Sequence, residues 1–310
     1  MQLDLTNLKS KYKSYHQEVW HNPIRAETYA ILRIVVAFCL LMDQLVQFLP
    51  NLEFFYGPTG FAPVETMETH VLYYWRWQSF IFFTNDMAVI YTCFFLWVGA
   101  TVSMLVGWKS RISTCLVWFG FMCFYYRNDV IMNSGDRLLF AILFILVLSP
   151  VGKALSVDSK KQPADASSSG PVTVPPWGIR VLQWQIALLY LSTGITKLHG
   201  HMWWEGTVIH YVLNDVTLAH WSFAYFPLPL FVTKIMTYAS VIWECLFLFL
   251  VWYKPTRKAT LFFGVAFHLG ITFLIEVGWF SFYTMTLYLA FLPDSYWQKR
   301  DLKKRQKVAQ

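Results

Sequence analysis

A chain of 310 residues that is 56% apolar, 19% aromatic and only 14% charged, with a mean hydropathy of +0.41, carries more apolar surface than water tolerates. This balance excludes a secreted or cytosolic enzyme. The net charge of +7 does not point to a nucleic-acid partner, because basic residues in a membrane protein report orientation.

In chain order, residues 1–28 hold no apolar stretch of the signal-peptide kind and are predicted to be a cytoplasmic segment. Apolar runs then cover Tyr29–Leu49, Met87–Trp108, Ile112–Tyr126, Leu138–Val151, Val181–Ile195, Leu230–Tyr253, Ala259–Ile275 and Val277–Pro293, each bounded by charge, Pro or Gly. They predict an all-α, polytopic transmembrane bundle of about eight spans, one domain over residues 29–293. Three runs are shorter than the ~20 residues a full span needs, so they borrow polar flanks or sit inside the bundle. The last two runs are separated only by Glu276 and Gly278, which requires a very tight turn or one broken re-entrant segment. The segment 156–176, rich in Ser, Pro and Ala, reads as a flexible cytoplasmic linker, and 294–310 as a basic cytoplasmic tail. Loops Pro50–Asp86 and Thr196–Pro229 carry Tyr73, Tyr74, Trp75, Trp77, Trp203, Trp204 and Trp221 and are predicted to be extracytoplasmic amphipathic caps.

Eight crossings assign every loop to a side. Nineteen of the 25 Lys and Arg residues fall on the side of the N-terminus, four (Arg76, Arg127, Arg137 and Lys197) on the other, and Arg33 and Lys234 within runs. By the positive-inside rule both termini are cytoplasmic and the protein is a multi-pass inner-membrane protein. Cys39, Cys93, Cys115, Cys123 and Cys245 all stand inside apolar runs and read as small buried hydrophobes, with no metal spacing.

Ionisable groups at membrane depth cost at least about 2.5–3.5 kcal/mol, so each one is a candidate site residue. Arg33, one turn into the first helix, reads as snorkelling to the headgroups. Asp43, deeper, reads as an ion-pair partner for a neighbouring helix or a site residue. Glu244 sits mid-helix among apolar neighbours and must be paired or protonated. His268 reads as an interhelical hydrogen-bonding group, with Gln183 and Gln185 as further polar groups. Lys197 follows an apolar helix ending in YLSTGIT. It is either an interfacial snorkelling lysine or a desolvated amine able to act as a general base. His199, His201, His210 and His220 follow it, without a carboxylate or cysteine at ligand spacing, so no metal is expected.

The stretch from Gln185 through Tyr190, Gly194, Thr196-Lys197-Leu198 and Trp204-Glu205-Gly206 resembles a segment of the vitamin K-dependent gamma-glutamyl carboxylases, as does Phe267–Phe280. Leu32-Arg33 with Asp43, Gly107–Ser113, Asn133 and Ser156–Asp158 fall in the same register. The resemblance is to the membrane part of those enzymes, the horizontally transferred transmembrane (HTTM) domain. It implies that Lys197 is the catalytic base acting on a reduced, vitamin K-like quinone, with Gln185, Glu244, His268, Trp204 and Asn133 lining the chamber. The histidine that those enzymes carry corresponds to Gly135 here, and the chain ends soon after the last run, without their large extramembrane part.

Two functions are therefore expected. One is a carboxylase-like enzyme using Lys197 on a quinol-like or lipidic substrate in an extracytoplasmic chamber, without carboxylating proteins on its own. The other is a non-catalytic membrane partner in maturation or export of a small peptide or protein, resembling the membrane component of the sporulation-delaying toxin system. Membrane lipids are partners in either case.

Overall fold

Each of the eight apolar runs forms helix in the computed structural model, which describes residues 17, 20–70, 76–161, 170–221, 223, 227–293, 295–298, 300 and 301. Tyr73, Tyr74, Trp75, residues 162–169 of the linker and most of both basic terminal segments lie outside the described residues. The chain opens with β1 (Ile24–Arg25), α1 (Ala26–Asp43), a π-helical stretch (Gln44–Phe48), α2 (Leu49–Tyr56) and α3 (Val64–His70). Next come α4 (Met87–Val106), α5 (Ser110–Arg127), α6 (Ser134–Leu148), α7 (Val157–Lys160) and β2 (Thr173–Val174). The remainder is α8 (Trp177–Lys197), α9 (His201–Glu205), α10 (Val208–Asn214), α11 (Leu230–Trp252), α12 (Lys254–Leu274), α13 (Phe280–Thr286) and a 3-10 stretch (Leu287–Phe291). The chain divides into two units, Met1–Val181 with Leu289–Gln310, and Leu182–Tyr288, the boundary falling within α8.

Three helical stretches among the described residues, Ala26–Tyr56, Met87–Val106 and Leu230–Trp252, are long and apolar enough to cross a membrane. Helix faces turned outward remain apolar: Leu96 on α4, Phe249 on α11 and Phe262 on α12 are 69%, 64% and 76% exposed. Surface of that kind is stable only against lipid, so this is an all-α membrane protein. The same inversion corrects the reading of the cysteines, since Cys115 is exposed rather than buried. Facing outward costs an apolar side chain nothing where the solvent is hydrocarbon.

In the first unit α1 packs on α4, α4 on α5 and α5 on α6. Asp86 caps α4 by accepting from the Ala88 amide at 2.8 Å, and Gly107 ends it at φ +74°, where a side chain would be strained. The high aromatic content fills this core: Phe121 stacks on Tyr125 with centroids 4.1 Å apart, and Trp97 on Phe124 at 5.1 Å. Both ends of the linker are built rather than flexible. Ser156 and Ser159 cap α7 reciprocally, and β2 pairs antiparallel with β1, Ile24 opposite Val174, because the backbone there finds partners on the chain.

Two arginines differ from their sequence reading. Arg33 does not snorkel: it is fully buried and donates to the carbonyls of Val151 at 2.6 Å and Leu155 at 2.7 Å. Arg127, counted as a loop cation, is fully buried as well and donates to the Ala62 carbonyl at 2.9 Å and Asn85 Oδ1 at 3.0 Å, clamping the loop after α2. A guanidinium with five donors can be housed inside when carbonyls surround it.

In the second unit α11 turns directly into α12, which packs on it, while α10 lies against α11 and α13 against α12. The short connection between the last two apolar runs is a turn. Ala219 and Ile275 form an antiparallel bridge, the Glu276 amide donates to the Leu218 carbonyl at 2.7 Å, and Gly278 takes φ +56°.

Candidate functional site

On α8, Tyr190, Gly194 and Lys197 recur at spacings of four and three and so share one face. Gly194 is where α8 closes on α11. A Cβ there would stand 2.7 Å from Cys245 Sγ and 3.0 Å from its backbone nitrogen, so only glycine allows the approach. That closeness brings the last turn of α8 opposite Glu244 on α11.

Lys197 Nζ is paired with Glu244 Oε1 in a very short contact. The Lys197 side chain is 22% exposed and that of Glu244 5%. The ammonium also stands 4.8 Å from the centroid of Trp203, which covers it as a cation–π partner. Glu244 Oε2 is buried with no hydrogen-bond partner. The neighbouring hydroxyl, Thr193 Oγ1, stands within reach of the Glu244 carboxylate and also of the Tyr190 carbonyl, at 3.1 Å. A buried carboxylate with one oxygen paired and one unfilled is incompletely compensated, and such half-satisfied polar groups mark sites more often than scaffolding.

A second polar cluster lies in the same unit. Tyr190 Oη is hydrogen-bonded to His268 Nε2 at 2.6 Å and to Tyr288 Oη at 2.5 Å, and His268 Nδ1 is 3.4 Å from Ser281 Oγ. His268 is 1% exposed and its ring neighbours are aromatic, among them Phe267, Phe280 and Tyr288. Beside these groups, α10, α11 and α12 enclose a cavity of about 340 Å³ lined by Ile209, Leu213, Met236, Phe267 and Ile271 among others, with Ser240, one turn before Glu244, as its hydroxyl.

The structure thus brings Lys197 to Glu244 and places His268 among tyrosines. Gln185 is half-buried but lies roughly 120° around α8 from Lys197, since twelve residues do not complete whole turns. Trp204 is 65% exposed, its indole N–H donating to the Leu198 carbonyl at 2.5 Å, so Trp203 rather than Trp204 lies on the lysine. Asn133, in the first unit, is the N-cap of α6. Its side chain accepts from the Gly135 amide at 2.7 Å and the Asp136 amide at 3.3 Å, while Asp136 returns the contact at 2.8 Å. Arg33 and Asp43 also belong to the first unit, Asp43 2% exposed at the junction of α1 and the π-helical stretch. His199 Nδ1 lies 2.9 Å from the Ile195 carbonyl, His201 3.5 Å from Glu205 and His220 3.7 Å from Glu276. No group of three or more His, Cys, Asp or Glu able to hold a metal occurs among the described residues.

Trp203, Tyr288 and Ser281 escape sequence reasoning. Tyr288 meets Tyr190 across 98 positions, a separation no local pattern encodes, and two adjacent tryptophans look alike until the turn after α8 is built.

A family model described as the HTTM domain matches residues 21–297. Among curated proteins, the chain is 26% identical over 134 residues to the uncharacterized protein YitO of Bacillus subtilis (strain 168). That match covers 40% of this chain and 40% of that protein. No solved structure matches the chain.

Proposed function

We propose, from the premise that this chain belongs to the HTTM domain family, that it is a membrane enzyme in which Lys197 takes a proton from a quinol-like or lipidic substrate. The observation that carries this reading is the Lys197–Glu244 pair, with one carboxylate oxygen buried and unfilled. Eight helical segments and the division of the basic residues support a multi-pass, inner-membrane topology with both termini cytoplasmic, which leaves Lys197 on the extracytoplasmic side.

The surroundings suit such a substrate. An apolar cavity of about 340 Å³, lined by Ser240 one turn from Glu244 but not by Lys197, Glu244 or Trp203, takes a ring or a stretch of hydrocarbon, while Trp203 supplies an aromatic face beside the amine and the Glu244 carboxylate an acceptor for a hydroxyl. A reduced quinone would supply an acidic hydroxyl. Glu244 takes the lysine's proton through Oε1, leaving Nζ as an amine. Nζ then accepts the substrate's hydroxyl proton, and the protonated pair holds one proton more than before. Tyr190, bonded to both His268 and Tyr288, ties α8 to α12 beside it.

The test is turnover in proteoliposomes, read as quinol oxygenation or carbon dioxide fixation. Lys197→Ala is expected to lose at least about a hundredfold. Equal turnover by wild type and variant removes the catalytic role.

One observation favours a second reading. Gly135 stands where the resemblance places a histidine, and its amide is engaged in capping α6. On that reading the protein is a non-catalytic partner in maturation or export of a small peptide. Capture of a stable partner with an unchanged Lys197→Ala phenotype would decide for it.

A further inference from the structure

We propose that the cavity of about 340 Å³ between α10, α11 and α12 is a slot for the hydrocarbon tail of a substrate that resides in the bilayer, with Gly270 setting the room that the tail has. The inference rests on the reading above, in which the reacting head of that substrate meets Lys197 and Glu244. The wall that α12 supplies is a stripe, Phe263, Phe267, Gly270 and Leu274 recurring at steps of four, three and four. From Phe263 to Leu274 the stripe covers about 16 Å of helix, so the slot runs lengthwise along α12 and fits a chain better than a compact ring.

The lining admits hydrocarbon and little else. Its one hydroxyl, on Ser240, donates to the Thr237 carbonyl at 2.7 Å and so calls for no ligand. Water gains nothing against such walls, whereas a chain supplies the dispersion contacts that they lack. Gly270 carries the argument further. A glycine inside a helix costs backbone entropy, which close packing normally accounts for, yet a Cβ added at Gly270 meets nothing within 4 Å. Open space lies over that residue, and the residue lines the slot. One end of the slot is closed by a strap: Ala219 and Ile275 form the bridge, the His220 amide donates to the Leu274 carbonyl at 3.1 Å and the Glu276 amide to the Leu218 carbonyl at 2.7 Å. Ile235 and Phe263, both exposed, are lining residues that continue the outward apolar faces of α11 and α12. A tail therefore enters sideways, from lipid. Ser240 stands one turn before Glu244, which directs the head of a tailed molecule toward the Lys197–Glu244 pair.

The experiment is photolabelling of the full chain in nanodiscs with a long-chain alkyl benzoquinone whose chain ends in a diazirine, the labelled residues being located by peptide mass spectrometry. Labelling is expected on the α11 and α12 residues of the slot. An excess of the same quinone without the diazirine should displace it, and tailless benzoquinone should not. Gly270→Ala, Gly270→Val and Gly270→Leu fill the slot progressively and should lower labelling in that order, the last by about tenfold or more, since excluding about two methylenes already costs that much. Gly99→Leu, at a helix glycine of the first unit that also has nothing within 4 Å, should label as wild type does. Should Gly270→Leu melt below wild type, the Ala and Val variants carry the comparison. Unchanged labelling across the Gly270 series, displacement by the tailless quinone, or equal labelling of the slot by a diazirine-bearing phosphatidylcholine that the quinone does not displace overturns the proposal. Labelling needs no turnover, so the slot and the reaction fail separately. A labelled slot in a protein that turns over no quinol removes the reaction and leaves the slot, whereas turnover of the tailed quinol with an unchanged KM in Gly270→Leu removes the slot and leaves the reaction.

Discussion

Arg33 in the first unit and Glu244 in the second are both charged residues set into apolar helices, each less than 5% exposed. The surroundings of the two differ. Arg33 points two of its nitrogens at backbone carbonyls, those of Val151 and Leu155, neither of which has any chemistry to perform. Glu244 meets a lysine through one oxygen, with only the Thr193 hydroxyl near the carboxylate besides. A charge held by backbone is scaffolding, because its partners are obligatory groups that need a donor in any case. A charge held by one titratable side chain, with an acceptor left over, is free to exchange protons and ligands. Burial alone therefore does not tell the two apart.

The comparison can be broken most forcefully at Arg33. Arg33→Met is expected to destabilise the protein by about 3 kcal/mol, since it removes two charge-assisted hydrogen bonds and strands the buried Val151 carbonyl. Thermal unfolding in detergent reads this, and Arg33→Lys should recover only part of it, since an ammonium lacks the fork that spans both carbonyls. A loss no larger than that of a surface substitution would show that the guanidinium is not what holds the segment after α6.

A smaller effect sharpens the other side. Lys197→Met should cost about 2 kcal/mol, less than for a fully buried pair because the lysine keeps contact with solvent, and Glu244→Leu should cost a similar amount. The double variant should be closer to wild type than the sum of the two, since apolar groups can replace the pair without leaving an orphan. Stability would then return while activity does not. Additive losses would mean that the two residues act separately.

The smallest effect concerns Asp158, outside the spanning helices. Burial alone would raise its carboxyl, but the hydrogen bonds from Ser110 and the Lys109 amide, with the charge of Lys161, outweigh that and hold it below the usual carboxylate range. A group whose folded value is depressed adds stability above its unfolded value, and that contribution disappears as pH falls through the folded one. Wild type should therefore lose stability relative to Asp158→Asn on acidification below about pH 4, where an unfolded aspartate titrates. Because Asp158 keeps contact with solvent, the difference at neutral pH should be no more than about 1 kcal/mol. Parallel melting curves for the two proteins across that range would remove the capping role.

Much of this was legible in the residues. Eight apolar runs, Pro and Gly at their bounds, and a charge deficit were enough to place helices, because hydrocarbon leaves backbone groups no partner except one another. Lys197, Glu244 and His268 stood out on cost alone. What the residues did not reveal was that Lys197 and Glu244 meet across 47 positions, or that Trp203 and not Trp204 covers the ammonium. The Ser/Pro/Ala segment shows the same limit: its composition reads as flexible, while Ser156, Asp158 and Val174 at its ends are anchored by residues far off in sequence.

By itself, then, the sequence determined the solvent, the helices and the short set of groups too polar for that solvent, since all three depend on local composition and periodicity. Only the tertiary structure decided which of those groups are closed off and which are left reactive. That depends on where each donor and acceptor points once helices distant in the chain have packed together.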